Sequence, residues 1–403
     1  MIWCYTTTRS THDIILMGNA LVIMRIHSKI VCTLGPVSSS PEIIENMIKA
    51  GMDIARLNLS YGNYEEHART ISIIRSISEK LGEPAGVMLD LPGYKRRRGG
   101  IVEVFRDQLE FASEQDADFI ALSFITSAEQ VSEIRDLLNT IDPQKPLIVK
   151  IEQEKALENS KGIIEVSDGI MVARGDLALE ISIEKVPLAQ KRLIREANQR
   201  GKPVITATQM LESMVRFPQP TRAEATDVSN AVLDGSDAVM LSEETAIGKY
   251  PVESVAMMNR IAMEAETALP YHEVLEIGSY GLLPEVDDAT ARAACQIAHQ
   301  IDAKAIITFT AGGTTAMRVS KYRPQQPIIA VTPSQKVVNR LTLSWGVVSV
   351  KKHEFNVLEE VFKLAKQSAL ETGIVKKGEL IVITAGIPLK VPGQTNLLKV
   401  ERV

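Results

Sequence analysis

Three cysteines in 403 residues, Cys4, Cys32 and Cys295, are too few and too scattered to form a disulfide framework. A reduced, cytoplasmic setting accounts for them most simply. Basic blocks are lacking too. The net charge is -5 and the pI about 5.8, so no nucleic-acid partner is expected. No apolar run reaches the length of a membrane span. Ile14–Met24 is apolar but broken by Gly18-Asn19, and no small-residue cleavage site follows it. No membrane association and no signal peptide are therefore expected. Residues 1–24 read as a poorly ordered leader, with Met24 as an alternative start. The six histidines, His12, His27, His67, His272, His299 and His353, show no metal-ligand spacing and receive no catalytic role.

What remains is a chain that is 45% hydrophobic and 24% charged, the composition of a globular protein with two domains. From Lys29, short β-branched runs alternate with helical patterns. The runs are Lys29–Leu34, Ile54–Leu59, Gly86–Leu91, Phe119–Phe124, Leu147–Glu152, Gly169–Ala173, Val204–Gln209 and Ala238–Ser242, with helical periodicity between them, as in Pro41–Ala50 and Glu65–Lys80. Strand–helix alternation implies a parallel sheet, and eight units fit a (β/α)8 TIM barrel over residues 25–275. After a turn-rich stretch, Gly278–Glu285, further runs at Ala305–Thr310, Ile328–Val331, Val347–Val350, Leu380–Thr384 and Leu397–Val400 give a small doubly wound α/β C-terminal domain over residues 276–403.

Catalytic groups of such barrels sit at the C-terminal strand ends. Arg56, Asn58, Asp90, Lys150, Glu152, Asp176 and Thr208 all fall there. Lys150 and Glu152 share one strand face, and Asp176 follows the next strand. Two carboxylates suit Mg²⁺ (or Mn²⁺), which takes few protein ligands and leaves the rest to substrate oxygens. A lysine beside them meets a developing anion, so the pattern points to metal-assisted chemistry on an oxyanion or phosphoryl group. Each residue also has a structural reading: Lys150–Glu152 as a surface ion pair at the barrel rim, Asp176 as a helix N-cap, Thr208 as a plain strand residue. In the second domain, Thr310-Ala311-Gly312-Gly313-Thr314-Thr315 opens a helix. It reads equally as an effector phosphate site or as a glycine-rich turn.

SKIVCTLGPVS (Ser28–Ser38), ARLNLSYG (Ala55–Gly62), DLPG (Asp90–Gly93), KIE (Lys150–Glu152), SDGIMVARGDL (Ser167–Leu177), ATQMLESM (Ala207–Met214), PTRAEATDVSNAVLDG (Pro220–Gly235) and MLSEETAIGKYP (Met240–Pro251) occur in this order. Together they resemble the pyruvate kinase family, from about Lys29 to the C-terminus. The resemblance implies transfer of a phosphoryl group from phosphoenolpyruvate to ADP, giving pyruvate and ATP. It also implies Glu152 and Asp176 as metal ligands and Lys150 as the stabiliser of the enolate and the transferring group. Thr208 matches the threonine linked to enolate protonation, and the amides of Ala173, Arg174, Gly175 and Asp176 match those that hold the substrate carboxylate. Arg56 matches the arginine that reaches the phosphoryl group, and Arg56, Asn58 and Arg97 lie on the nucleotide side. The family's K⁺ site matches Asn58, Ser60, Asp90 and the Leu91 carbonyl. Lys95 stands where many K⁺-dependent members carry glutamate, so its ammonium is expected to replace that ion. A homotetramer follows by family analogy.

Three departures stand out. The third strand runs on as Gly93-Tyr94-Lys95-Arg96-Arg97. Tyr61 and Ile247 replace the family's usual histidine and lysine near the nucleotide. Most consequentially, the family inserts a lid domain after the third strand, and here only residues 92–118 separate strands three and four. Ile101, Val104, Phe105, Leu109 and Ala112 give one amphipathic helix in that space, so the lid is expected to be missing. Metal-dependent pyruvate enolisation or oxo-acid decarboxylation on the same floor, or a non-catalytic effector-binding relative, are the alternative readings.

Overall fold

Strands buried on both faces need helices on one side and packed side chains on the other, and a closed parallel barrel supplies both. The computed structural model describes residues 27–93, 101–277, 284–389 and 394–403. Eight parallel strands pair in sequence order and close on themselves. They are Lys29–Thr33 (β1), Ile54–Asn58 (β2), Gly86–Leu91 (β3), Phe119–Leu122 (β4), Leu147–Ile151 (β5), Gly169–Ala173 (β6), Val204–Ala207 (β7) and Ala238–Leu241 (β8). The seam aligns Lys29 with Ala238 and Cys32 with Leu241.

Alternation along each strand divides the core. Val31, Ile54, Met88, Ala121, Ile148, Met171, Ile205 and Met240 fill the barrel interior, while Ile30, Cys32, Leu89, Ile120, Val149 and Val172 pack outward against the helices. Helix starts are fixed locally. Asn63 and Thr221 each form a capping box, with Glu66 and Glu224 respectively, at the heads of helices Tyr64–Leu81 and Arg222–Leu233. Between β3 and β4 the described residues contain one helix, Ile101–Glu114, with Phe105, Leu109 and Ala112 fully buried. It completes the barrel wall. Tyr94–Gly100, with Lys95 and Arg97, lies outside the described residues, as do 278–283 of the expected inter-domain turn.

The second sheet comprises Ala305–Phe309 (β9), Ile328–Thr332 (β10), Val347–Lys351 (β11), Leu380–Ala385 (β12) and Leu397–Arg402 (β13), in the order β11-β10-β9-β12-β13. The chain reverses direction across the sheet on either side of β9, as doubly wound topology requires. β13 runs antiparallel to β12, so the sheet is mixed. This domain caps the N-terminal end of the barrel. Leu343 joins the barrel-interior cluster. Arg323 bonds to Asp237 Oδ2 and to the Gly235 carbonyl, both at 2.9 Å. Lys29 Nζ donates to the Val347 carbonyl at 2.9 Å. His27 stacks on Trp345 at 4.4 Å and reaches Glu266 through its amide and Nδ1 at 2.9 and 3.1 Å. No helix among the described residues is long and apolar enough to cross a membrane.

Several strands stop one or two residues before the sequence expectation. β4 ends at Leu122 instead of Phe124, and β7 at Ala207 instead of Gln209. The cause is local: Phe124, Thr208 and Gln209 take left-handed φ angles of 60°, 69° and 54°, which end the ladder.

Candidate active site

On six of the eight strands the interior face continues past the core to the C-terminal mouth, and there its residues change from apolar to polar. Val31 is followed at i+2 by Thr33, Ile54 by Arg56, Met88 by Asp90, Ala121 by Ser123, Ile148 by Lys150 and then Glu152, and Met240 by Ser242. Period-two geometry therefore brings these groups together on one floor.

Asp90, 1% exposed, anchors the centre. One oxygen, Oδ2, accepts from Arg56 Nε at 2.8 Å and Nη2 at 2.6 Å; the other accepts from Ser123 Oγ at 3.1 Å. Arg56 also donates to Thr33 Oγ1 at 2.8 Å. Burial alone would raise the Asp90 carboxyl, but the Arg56 and Lys150 charges and these hydrogen bonds hold it below its ordinary value. Lys150 Nζ donates to Ser123 Oγ at 2.9 Å and lies 3.2 Å from Glu152 Oε2 and 3.6 Å from Asp90 Oδ2. Burial would lower its pKa, and the two carboxylates raise it instead, so the ammonium is charged.

Glu152 is as buried as Asp90. Its Oε1 accepts the Phe124 amide at 2.6 Å, while its buried Oε2 has no hydrogen bond. Burial raises the Glu152 carboxyl above its ordinary range, against the pull of Lys150, and the nearby Asp176 charge adds to the rise. A buried carboxylate oxygen without a hydrogen bond, next to a second carboxylate, is a donor set that fits one hard divalent ion. Among the described residues no group of three or more His, Cys, Asp or Glu forms a metal cluster, so an ion here would take further oxygens from a substrate.

Asp176 and Thr208 line an adjoining cleft of about 250 Å³ with Gly175, Gln209, Glu212 and Ser242. Asp176 is the third residue of helix Arg174–Glu180, whose cap is Ala173; it is not the N-cap. Nor do Lys150 and Glu152 form a surface pair, since both side chains are largely buried. Thr208 Oγ1 donates to the Ala207 carbonyl at 2.6 Å and accepts the Gly175 amide at 2.7 Å. The Arg174 side chain turns into the wall, bonding to Asp227 at 2.7 Å and to the Thr208 carbonyl at 2.7 Å, so only its backbone faces the floor's side. Glu244, buried beneath, accepts the amides of Leu211 and Ser242 at 2.9 and 2.7 Å, and burial raises its carboxyl. On the rim, Asn58 Oδ1 accepts the Ser60 amide at 3.0 Å.

Ser123, Phe124, Thr33 and Glu244 were not singled out from sequence. Ser123 was within reach: Phe119-x-Ala121-x-Ser123 keeps the interior phase of its strand.

A family model described as "Pyruvate kinase, barrel domain" matches residues 25–103 and 99–255, and one described as "Pyruvate kinase, alpha/beta domain" matches 288–401. The chain belongs to the pyruvate kinase family. A pyruvate kinase of Geobacillus stearothermophilus is 39% identical over 472 residues, covering 94% of this chain and 80% of the relative. One of Bacillus licheniformis is 39% identical over 469 residues, covering 93% and 80%, and one of Clostridium acetobutylicum is 36% identical over 469, covering 93% and 99%. Since 94% of 403 residues is about 379, some 93 of the 472 aligned positions in the first of these have no counterpart here. The barrel match itself breaks at 99–103, between β3 and β4, where the family carries its lid. Pyruvate kinase-type barrel and C-terminal domains are therefore joined here without that insertion.

In the C-terminal domain a cavity of about 230 Å³ opens at the ends of β9 and β12, lined by Thr310, Gly312, Thr314, Thr315, Phe355 and Gly386, among others. Gly313, with φ at 95°, caps the following helix and does not line the cavity; its amide donates to Thr310 Oγ1 at 2.8 Å.

Proposed function

We propose that this chain transfers the phosphoryl group of phosphoenolpyruvate to ADP. The observation that carries the reading is the charged, largely buried Lys150, held between Asp90 and Glu152 on the barrel floor beside Asp176. Its fixed charge lies where the enolate oxygen and the departing phosphoryl group develop negative charge, and it needs no reorganisation to act. Glu152 and Asp176 would hold Mg²⁺ or Mn²⁺, which supplies Lewis-acid polarisation of substrate oxygens when bound. The amides from Ala173 to Asp176 orient the substrate carboxylate. Because Thr208 Oγ1 already occupies the Gly175 amide, binding there requires that bond to open. That frees a lone pair of the threonine, while its proton, donated to the Ala207 carbonyl, must also turn away before the hydroxyl can relay one through water to the enolate carbon. The hydroxyl takes a proton from solvent water as it gives one up, since it is a poor acid alone. Arg56 bears on the phosphoryl group from the Asp90 side, and Asn58 and Arg97 serve the nucleotide.

Lys95 stands in for K⁺ in this proposal, with Asn58, Ser60, Asp90 and the Leu91 carbonyl as the family's cation groups. The cavity at Thr310–Thr315 is read as an effector phosphate site. Homotetramer assembly and a cytoplasmic location belong to the same reading. A coupled assay of pyruvate formation from phosphoenolpyruvate and ADP tests it. Activity is expected, equal in K⁺ and tetramethylammonium salts and abolished in Lys150→Met. Absence of pyruvate formation in the unmodified chain would refute the reading.

A further inference from the structure

We infer that the turn Ser123–Phe124, at the exit of β4, is the device that positions Lys150 and orients Glu152, with Ser123 a positioning residue for the lysine. The inference rests on the phosphoryl-transfer reading above and deepens it. Ser123 is 3% exposed, and its hydroxyl is the only group on the floor with hydrogen bonds to both the central carboxylate and the lysine among the described residues: it donates to Asp90 Oδ1 at 3.1 Å and accepts from Lys150 Nζ at 2.9 Å. A hydroxyl has one proton and two lone pairs, and this use of it is self-consistent. With its proton directed to Asp90, a lone pair faces the ammonium.

The next residue acts on the other carboxylate. Phe124 adopts φ of 60°, a conformation that a bulky residue takes only under constraint. That twist accompanies a 2.6 Å bond from the Phe124 amide to Glu152 Oε1. With Oε1 engaged, Oε2 is the oxygen left facing Lys150, 3.2 Å away. Two consecutive residues thus tie three charged groups from β3 and β5, the strands on either side of β4. Neither carboxylate alone fixes the lysine: Asp90 Oδ2, at 3.6 Å, makes an ion-pair contact only, and Glu152 Oε2, at 3.2 Å, stands at the long edge of hydrogen-bond distance. The shortest directional bond comes from Ser123. A lysine is a point charge on a flexible stem, so one directional partner is what converts it from a tethered charge to a placed one.

The test uses Ser123→Ala and Ser123→Thr in the full chain. Ser123→Ala should lower kcat by about tenfold to a hundredfold, the effect of misplacing a reacting group by a fraction of an ångström to an ångström, with the KM for phosphoenolpyruvate changed by less than about threefold. Ser123→Thr, which keeps the hydroxyl, should restore most of the loss. A second readout needs no activity: labelling of Lys150 by a small amine-directed reagent, followed by peptide mass analysis, should be several-fold faster in Ser123→Ala and near wild type in Ser123→Thr. Thermal unfolding of each variant controls for misfolding. Unchanged labelling in Ser123→Ala, or a change that threonine does not rescue, overturns the inference. If the unmodified chain forms no pyruvate but the labelling behaves as expected, the reaction assignment fails while the positioning role stands.

Discussion

Glu152 divides its two oxygens between different tasks, and that division predicts its phenotype. Oε1 is held by an amide and Oε2 is buried without a hydrogen bond. Glu152→Gln keeps the shape and one acceptor but removes the charge, so Mn²⁺ affinity should fall by at least tenfold; Asp176→Asn should do the same from the cleft side. Titration of Mn²⁺ by electron paramagnetic resonance reads both, and unchanged affinity in the two variants would sink the metal assignment. Residue identities of this floor were legible in the sequence because the strand period is two: Arg56, Asp90, Lys150 and Glu152 each sit at an even offset from an interior apolar residue. The bonds that organise them were not. A serine hydroxyl bridging Asp90 and Lys150, or a left-handed Phe124, depends on how neighbouring strands align, which no single run encodes.

Elements fix how far the floor can shift. The short helix Glu243–Ala246 carries Glu244, whose carboxylate holds the Leu211 and Ser242 amides. Two glycines let it nest. A Cβ at Gly35 would lie 2.5 Å from the Ala246 carbonyl oxygen, and one at Gly248 would lie 2.4 Å from that of Glu244. Both obstacles are backbone, so relief requires the helix to move. Gly248→Ala should therefore cost about 1–3 kcal/mol of stability and lower kcat by displacing Ser242 and the Thr208 cleft. Denaturant melts together with kinetics check this, and a variant as stable and active as wild type would show that the helix is not held as argued. At this scale the β-branched runs locate the strands to within a few residues but do not show where β4 and β7 end. Those ends are set by left-handed residues at the site, where tertiary bonds override strand propensity.

For the whole molecule, the joint between domains and the missing insertion carry the consequences. At the joint, burial would raise the Glu266 carboxyl, but the His27 side chain and the amides of His27 and Ser28 hold it below its ordinary value. A depressed carboxyl contributes stability that is present above its unfolded pKa and lost as pH falls through the folded one. Glu266→Gln should thus destabilise the protein by about 1–3 kcal/mol at neutral pH, with the difference shrinking on acidification below the ordinary carboxylate range. Urea unfolding across that range measures it; a difference independent of pH would rule out the carboxylate as its source. The lid carries another prediction. Lys150, Glu152, Asp176 and Thr208 all belong to the barrel, whereas a nucleotide spans barrel and lid in the family. Proton exchange into pyruvate should therefore be preserved better than phosphoryl transfer, with transfer slower by on the order of 10² to 10⁴ than in a lid-bearing relative. Transfer as fast as the relative's would defeat this.

The common phase of the floor residues has a further consequence. Lys150 and Glu152 reach the mouth only because Ile148 points inward, and Asp90 only because Met88 does. Sliding β5 by one residue against its neighbours would rotate both charges into the helix layer and bring Val149 and Ile151 to the floor, so the same error would empty the site and bury two ions in oil. Folding to the wrong alignment is thus penalised twice, by the core and by the charges. Groups kept for chemistry also serve as a proofreader of the barrel's closure.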